Sequence, residues 1–371
     1  MSLRAKTDEK YWSQYDGLQN AKHSILRKYL DGWFPILSKW NGRVLYIDCH
    51  AGRGRHKTGH EGSPILALNR LLQHTFRNKI LNNTKVNFIF FEINPRNFTT
   101  LENEIQKLGN LPGQVENRIF CENYEIVLKS ILHELKRQRQ SLAPTFAFLD
   151  PYGFNLSMDL LNTILAFPKS ELFINFMCRY IDLALFVDEQ APNLNNLFGC
   201  NDWDKLKAED NPKKRYRSTV QLFSKQLNAK WLTQMNMEGP NKLPKYVLLH
   251  ATNNRRGREL MKEAMWSVAP DGSFTAHERD NPEQLILLIP EPNLESLKSQ
   301  LWNEFAGRVV YLEDLYEWLL DQLYLKKHLH AVLREYRNHK PSILEFSDYG
   351  QRFSFQANPI VHFPKKRPEM S

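Results

Sequence analysis

Four short stretches of the chain carry residue types whose spacing could do chemistry. The first is Asp48-Cys49-His50-Ala51-Gly52-Arg53-Gly54. Gly52 and Gly54 let the backbone turn sharply and approach a ligand closely. The motif has no third glycine at dinucleotide spacing, so it suits a nucleoside-type cofactor without a pyrophosphate, such as S-adenosylmethionine, better than a nicotinamide dinucleotide. The second stretch, Phe91-Glu92-Ile93-Asn94, puts a carboxylate where it can accept both hydroxyls of a ribose. The third, Glu122-Asn123, offers polar groups to an adenine edge. In the fourth, Leu149-Asp150-Pro151-Tyr152-Gly153, Asp150 can orient an exocyclic amino group, Pro151 stiffens the loop and Tyr152 presents a ring for base stacking. Each has a plainer reading as a solvated strand end or a turn; their succession in one order favours a site.

The elements that must position them read as an alternation of short apolar strands and amphipathic helices, the pattern of an α/β fold with a largely parallel sheet. Strands are expected at Arg43–Asp48, Lys85–Glu92, Asn117–Cys121, Thr145–Asp150, Glu171–Met177, Lys245–Thr252 and Glu283–Pro290. Helices are expected at Pro64–His74, Asn97–Leu108, Glu125–Gln138, Met158–Phe167 and Gly257–Val268. That is a doubly wound, seven-stranded, Rossmann-like sheet over residues 41–292. A helical segment, residues 1–40, precedes it, with an apolar stripe at Ile25, Leu26, Tyr29, Leu30 and Trp33. Residues 181–244 read as a helical insertion. After Pro292 two helices, Leu312–Tyr324 and Lys326–Asn338, precede β-like runs at Ile343–Phe346 and Arg352–Phe355. This predicts a small winged-helix-like α+β domain over 308–371.

The 371 residues carry 50 Lys+Arg against 41 Asp+Glu, a net charge of +9, which favours an anionic partner. Arg53, Arg55 and Lys57 form a basic lip beside the glycine loop. Lys213, Lys214 and Arg215, together with Arg255 and Arg256, add further clusters that could contact phosphates, as do Lys326, Lys327, Arg334 and Arg337. Four scattered cysteines, Cys49, Cys121, Cys178 and Cys200, have neither disulfide-framework nor zinc spacing, so no metal is expected and a cytoplasmic location is. No apolar run is long enough to span a bilayer.

The glycine-loop block, Gly62-Ser63-Pro64, Phe91-Glu92, Leu149-Asp150-Pro151-Tyr152-Gly153 and Ile174-Asn175-Phe176-Met177 resemble, in this order, the blocks of the three-Cys-motif partner family, TcmP, over about Lys6 to Pro290. The resemblance implies a class I methyltransferase-like fold in a bacterial protein and a partner carrying three cysteines, of radical-SAM type. The Asp150 block is also similar to the corresponding loop of tRNA N2,N2-dimethylguanosine methyltransferases and, more loosely, to the Asp-Pro-Pro-Tyr loop of adenine-N6 enzymes, from which Gly153 departs. The expected function is S-adenosylmethionine-dependent methylation of a base amino group in nucleic acid, RNA favoured over DNA. Two alternatives stand beside it: an inactive methyltransferase-shaped module serving the three-Cys partner, and a dehydrogenase. The interval from Asp48 to Glu92 exceeds the roughly 20 residues usual between glycine loop and ribose acid, which requires an extra loop.

Overall fold

The computed structural model describes residues 9, 11–240, 244–279 and 292–366. The chain divides into two compact units, the first reaching to about Val268 with a return at Phe274, the second C-terminal.

In the first unit, helix α1 (Gly17–Ser38) is capped by Asp16, whose carboxylate accepts from the Gln19 amide at 2.8 Å. Its stripe of Ile25, Leu26, Tyr29, Leu30, Trp33 and Phe34 is buried. Then come β1 (Arg43–Asp48), α2 (Ser63–Leu72), α3 (Arg77–Asn83), β2 (Lys85–Phe91), α4 (Pro95–Gln106), β3 (Val115–Phe120), α5 (Tyr124–Arg137), β4 (Thr145–Leu149), α6 (Met158–Leu165) and β5 (Ser170–Phe176). All residues of β4 and β5 are buried. Strands buried at every residue are central ones covered on both faces, here even at Glu171 and Asn175 of β5. After β5 lie α7 (Cys178–Ala184), α8 (Ala191–Phe198), α9 (Pro212–Gln226), β6 (Trp231–Glu238), β7 (Pro244–Thr252), α10 (Arg255–Val268) and β8 (Thr275–His277).

The sheet order is β3-β2-β1-β4-β5-β7-β6-β8. Strands β1 to β5 pair in parallel, and β7 runs antiparallel to both β5 and β6. The expected doubly wound sheet is therefore present, with eight strands among the described residues where seven were expected. Its order reverses direction between β1 and β4, and the crevice beyond the carboxyl ends of those two strands is where such sheets hold ligands.

Several expectations need correction. The segment 181–244 is helical only in its first part, because its end is strand β6. Trp231–Glu238 buries every second residue, an alternation masked in the sequence by the apolar Leu232 on the outer face and the polar Thr233 on the buried one. The short strand β8 has too few residues to show a pattern. The extra chain between Asp48 and Glu92 is taken up by the 53–62 loop together with α2 and the unanticipated α3. The expected strand Glu283–Pro290 lies outside the described residues.

The C-terminal unit comprises α11 (Glu295–Phe305), β9 (Val309–Tyr311), α12 (Leu312–Asp321), α13 (Lys326–Asn338), β10 (Glu345–Ser347) and β11 (Ile360–His362). Its strands form an antiparallel sheet ordered β10-β11-β9. Leu297, Leu301 and Trp302 of α11 share one core with Leu315, Leu329, Leu333 and Val361, so this unit begins before residue 308. The second hairpin strand is 360–362 and not Arg352–Phe355. Phe353 and Phe355 instead pack edge to face at 5.0 Å in an irregular loop, and the hairpin turn is correspondingly longer.

Candidate functional site

The β1–β2–β4 register decides how the motifs meet. Asp48 is level with Phe90 on β2 and Phe148 on β4, so the loops after all three strands open on one rim. The Cys49 amide still donates to the Phe148 carbonyl, and the Ala51 amide donates to Phe91. Gly52 then turns back with φ +66°, and its amide donates to Glu92 Oε2 at 2.9 Å. The other Glu92 oxygen accepts from the Asn94 amide at 2.7 Å. The acid at the end of the second strand thus organises the glycine loop. Gly54, φ +79°, closes the loop by accepting from the Gly62 amide at 2.7 Å, just before Ser63 opens α2.

Asp48 has no solvent exposure. One carboxylate oxygen accepts from the His50 amide at 3.1 Å; the other, Oδ2, is buried without a hydrogen-bond partner. Burial pushes its carboxyl up to about 7, against the lowering effects of the Ser63 hydroxyl and the His50 amide. His50 lies edge-on to Tyr124, and burial depresses its imidazole to about 4 despite the Asp150 charge.

Asp150, two residues beyond Phe148, is held by groups from two other elements. Lys22 of α1 reaches it as a buried ion pair, and the Asn175 amide at the end of β5 donates to its second oxygen. Burial opposes ionisation of Asp150, but the Lys22 ammonium and the Asn175 amide outweigh it and keep the carboxyl below its usual value. Burial likewise works against the Lys22 charge, and Asp150 more than offsets it, so the ammonium is held well above the normal lysine range. The carbonyl oxygen of the Asn175 carboxamide is buried and unpartnered. Tyr11 and Tyr246 lie within electrostatic reach of the Lys22–Asp150 pair, and burial raises both phenols.

Past Asp150 the chain leaves the protein: Tyr152 is 60% exposed, and Gly153 has φ +108° with open space where a Cβ would project. The Tyr152 ring faces Tyr180 of α7 at 5.7 Å. Pro151 is buried behind it.

The structure therefore brings together Asp48, His50, Ala51, Gly52, Gly54, Glu92 and Asp150 with Pro151, Tyr152 and Gly153. Asn123 is engaged elsewhere, since its side chain caps α5 by accepting from the Glu125 amide at 2.8 Å, while Glu122 beside it is exposed. Gly52 also has a second reason to lack a side chain. A Cβ there would overlap the ring of Trp12, which lies across the loop.

Most of the cations expected to face a polyanion are engaged within the protein. Arg53 bonds Asn97 and Glu9, Lys57 bonds Glu9, and Arg55 bonds Glu104 and the Gly59 carbonyl. Arg215 forms a mostly buried pair with Asp182, and Arg255 and Arg256 share Glu259. The 53–60 segment is a folded flap and not an open basic lip. Lys213 and Lys214 are exposed in the first turn of α9.

Sequence reasoning missed Lys22, Tyr11, Trp12, Tyr180 and Tyr246. Lys22 alone left a signal: it lies four residues after Leu18, three before Ile25 and seven before Tyr29, on the apolar stripe of α1.

Among the described residues no group of three or more His, Cys, Asp or Glu could hold a metal ion, and no helix is long and apolar enough to cross a membrane. All four cysteines are free.

Comparison with solved structures returns Trm1 from Pyrococcus horikoshii in complex with S-adenosyl-L-methionine, at 14% identity, covering 68% of this chain and 59% of that one, with a TM-score of 0.36. It also returns the O-methyltransferase from Bacillus cereus in complex with SAH, at 12% identity, 65% and 83% coverage and a TM-score of 0.34. A third is protein LPL1258 from Legionella pneumophila, at 13% identity, 64% and 85% coverage and a TM-score of 0.38. The chain spans about three-fifths of the length of that Trm1 structure. No family model matches the sequence, and no curated protein matches it. The fold assignment rests on the strand order and switch point described above.

Proposed function

We propose that this chain is an S-adenosylmethionine-dependent methyltransferase that acts on a base amino group in nucleic acid, RNA favoured, and works with a three-Cys-motif partner protein. The observation that carries the reading is a pair of buried, unpartnered acceptors at the switch point: Asp48 Oδ2 beside the glycine loop and Asn175 Oδ1 beside Asp150. An unsatisfied buried acceptor is costly unless a ligand supplies the missing donor.

These residues fit the proposed cofactor. Asp48 would take its ammonium group, and Glu92 and the Gly52–Gly54 turn would hold the nucleoside side. When bound, the cofactor supplies a methyl group on a positively charged sulfur. The chain's own part is orientation. Asp150, kept ionised by Lys22, accepts a hydrogen bond from an amino N–H and so aims the nitrogen lone pair, with Asn175 Oδ1 available to the second N–H. Tyr152 and Tyr180 supply ring faces at the rim for the base that carries the amine. Because the Asp150 carboxyl is held low, it is an acceptor and a weak base, and the proton leaves to water.

Calorimetric titration of the full chain with S-adenosylhomocysteine tests this. Binding is expected, weakened at least tenfold by Asp48→Asn and by Glu92→Ala and little changed by Asp150→Ala. An absence of binding to the wild type removes the cofactor. Nucleoside mass spectrometry of cellular RNA and DNA, with and without the gene, then identifies the methylated base.

A second reading has its own observation. Trp12 covers Gly52 and Lys22 engages Asp150, so residues of this same chain stand where cofactor and acceptor would lie. That arrangement suits an inactive module that serves the three-Cys partner. It predicts no S-adenosylhomocysteine binding and co-purification with the partner that survives Asp150→Ala.

A further inference from the structure

Charge is segregated within the C-terminal unit. Helix α12 carries Glu313, Asp314, Glu317 and Asp321, all exposed, and no Lys or Arg. Helix α13 carries Lys326, Lys327, Arg334 and Arg337 against a single acid, Glu335, which is paired with Lys298. Lys327, His330, Arg334 and Arg337 follow one another at spacings of three, four and three, which places them on one face of the helix. They extend along roughly 15 Å of it at 1.5 Å per residue. The opposite face, with Leu329, Val332, Leu333 and Tyr336, is the core.

The two arginines rest on rings and, unlike the clustered arginines of the first unit, have no carboxylate partner among the described residues. The Arg337 guanidinium lies 4.1 Å from the centre of the Phe353 ring, and that of Arg334 lies 5.2 Å from Phe355. His330 stacks on the same Phe355 ring at 4.1 Å. No carboxylate pairs with Arg334 or Arg337 among the described residues. Packing on a ring face fixes a guanidinium plane without using its N–H donors, so both remain charged, oriented and available for bidentate contacts. By contrast, Arg53, Arg55, Arg215, Arg255 and Arg256 all use donors on carboxylates of their own unit.

From these observations we infer that the outer face of α13, through Lys327, Arg334 and Arg337 on the Phe353–Phe355 ring platform, is a docking surface for the phosphate backbone of duplex nucleic acid. Helices α12 and α13 are joined by four residues, 322–325, a connection as short as those of helix pairs whose second helix docks on duplex nucleic acid. The exposed acids of α12 make that helix a poor surface for phosphate, which favours α13 of the two. The inference is independent of methyl transfer: it concerns where a polyanion is held, not what is done to it.

The test uses the full chain and fluorescence anisotropy with three fluorescein-labelled probes of arbitrary sequence: a 16-base-pair DNA duplex, an RNA hairpin with a stem of that length, and a DNA single strand. Tight duplex binding is expected in 50 mM KCl. Arg334→Glu/Arg337→Glu should weaken it at least tenfold. It should also flatten the logarithmic salt dependence by about 1.8, at roughly 0.9 for each phosphate no longer neutralised. Arg334→Lys/Arg337→Lys retains charge without the planar stacking and should fall between. Lys79→Glu/Lys136→Glu removes the same charge from exposed positions of the first unit and should change affinity less than twofold. The DNA and RNA arms decide which duplex is preferred. Unchanged binding by the Arg334→Glu/Arg337→Glu variant overturns the proposal, as do equal losses in both double variants. So does preference for the single strand, or binding of polyglutamate but not of either duplex. Because S-adenosylhomocysteine titration reads only the first unit, either conclusion can fail without the other.

Discussion

Replacing Lys22 by methionine removes the ammonium that faces Asp150 and keeps most of the apolar stem. The Lys22 side chain is 3% exposed and that of Asp150 16%, so the carboxylate left behind retains one donor, the Asn175 amide, and little water. Breaking a buried pair from one side typically costs about 3–5 kcal/mol; with the partial exposure of Asp150, roughly 2–4 kcal/mol is expected at neutral pH. In a unit of this size that lowers the melting temperature by about 3–7 °C. The sign of the pH dependence follows from the direction of each shift. In the wild type the Asp150 carboxyl is lowered, so the pair contributes stability above the ordinary carboxylate range and loses it as pH falls. In Lys22→Met burial acts unopposed by a cation and raises that carboxyl, so the variant loses stability as pH rises. The gap between the two proteins must therefore widen from pH 4.5 to pH 8. Adding Asp150→Asn to Lys22→Met should recover most of the loss, because no charge then remains to be buried. Thermal melts followed by tryptophan fluorescence at four pH values measure all of this. A Lys22→Met protein melting within 1 °C of the wild type at pH 8 would contradict the pairing, as would a loss that is constant with pH and unrelieved by Asp150→Asn.

Other expectations concern the glycine loop. Asp48→Asn should raise the melting temperature by an amount that grows as pH rises from the ordinary carboxylate range to about 7 and is level above it, because burial holds that carboxyl near 7 in the folded state alone, yet the same change should weaken S-adenosylhomocysteine binding in calorimetry. For the wild type, affinity for that ligand should fall as pH drops below about 7 and Asp48 takes up a proton. Gly52→Ala meets both a left-handed backbone and the Trp12 ring, and should cost more than 1 kcal/mol by denaturant titration. In a Trp12→Ala background the steric part of that cost should disappear and the backbone part remain. Glu92→Gln turns an amide donor toward either the Gly52 or the Asn94 N–H, so loop order should fall, read as faster amide exchange at residues 49–54.

Residue pattern was enough to place the strands and the ends they present. Apolar runs such as Thr145–Leu149 have no stable place except a sheet covered on both sides, and polar residues that terminate such runs must emerge on one rim when the strands are parallel. Asp48, Glu92 and Asp150 were legible for that reason. Strands that alternate weakly, such as Trp231–Glu238, and elements of three residues were not, because their identity comes from the neighbours they pair with. What each charged group faces is settled only when the chain packs. Nothing local announces that Lys22 meets Asp150 across 128 positions of chain, that Trp12 rests on Gly52, or that Glu9 and Glu104 neutralise the flap. The same holds for Arg334 and Arg337, whose ring partners follow them by 16 to 21 residues in a loop with no regular pattern. Side-chain pairing depends on distances set by packing, and helical or strand periodicity carries information only about the face on which a residue lies.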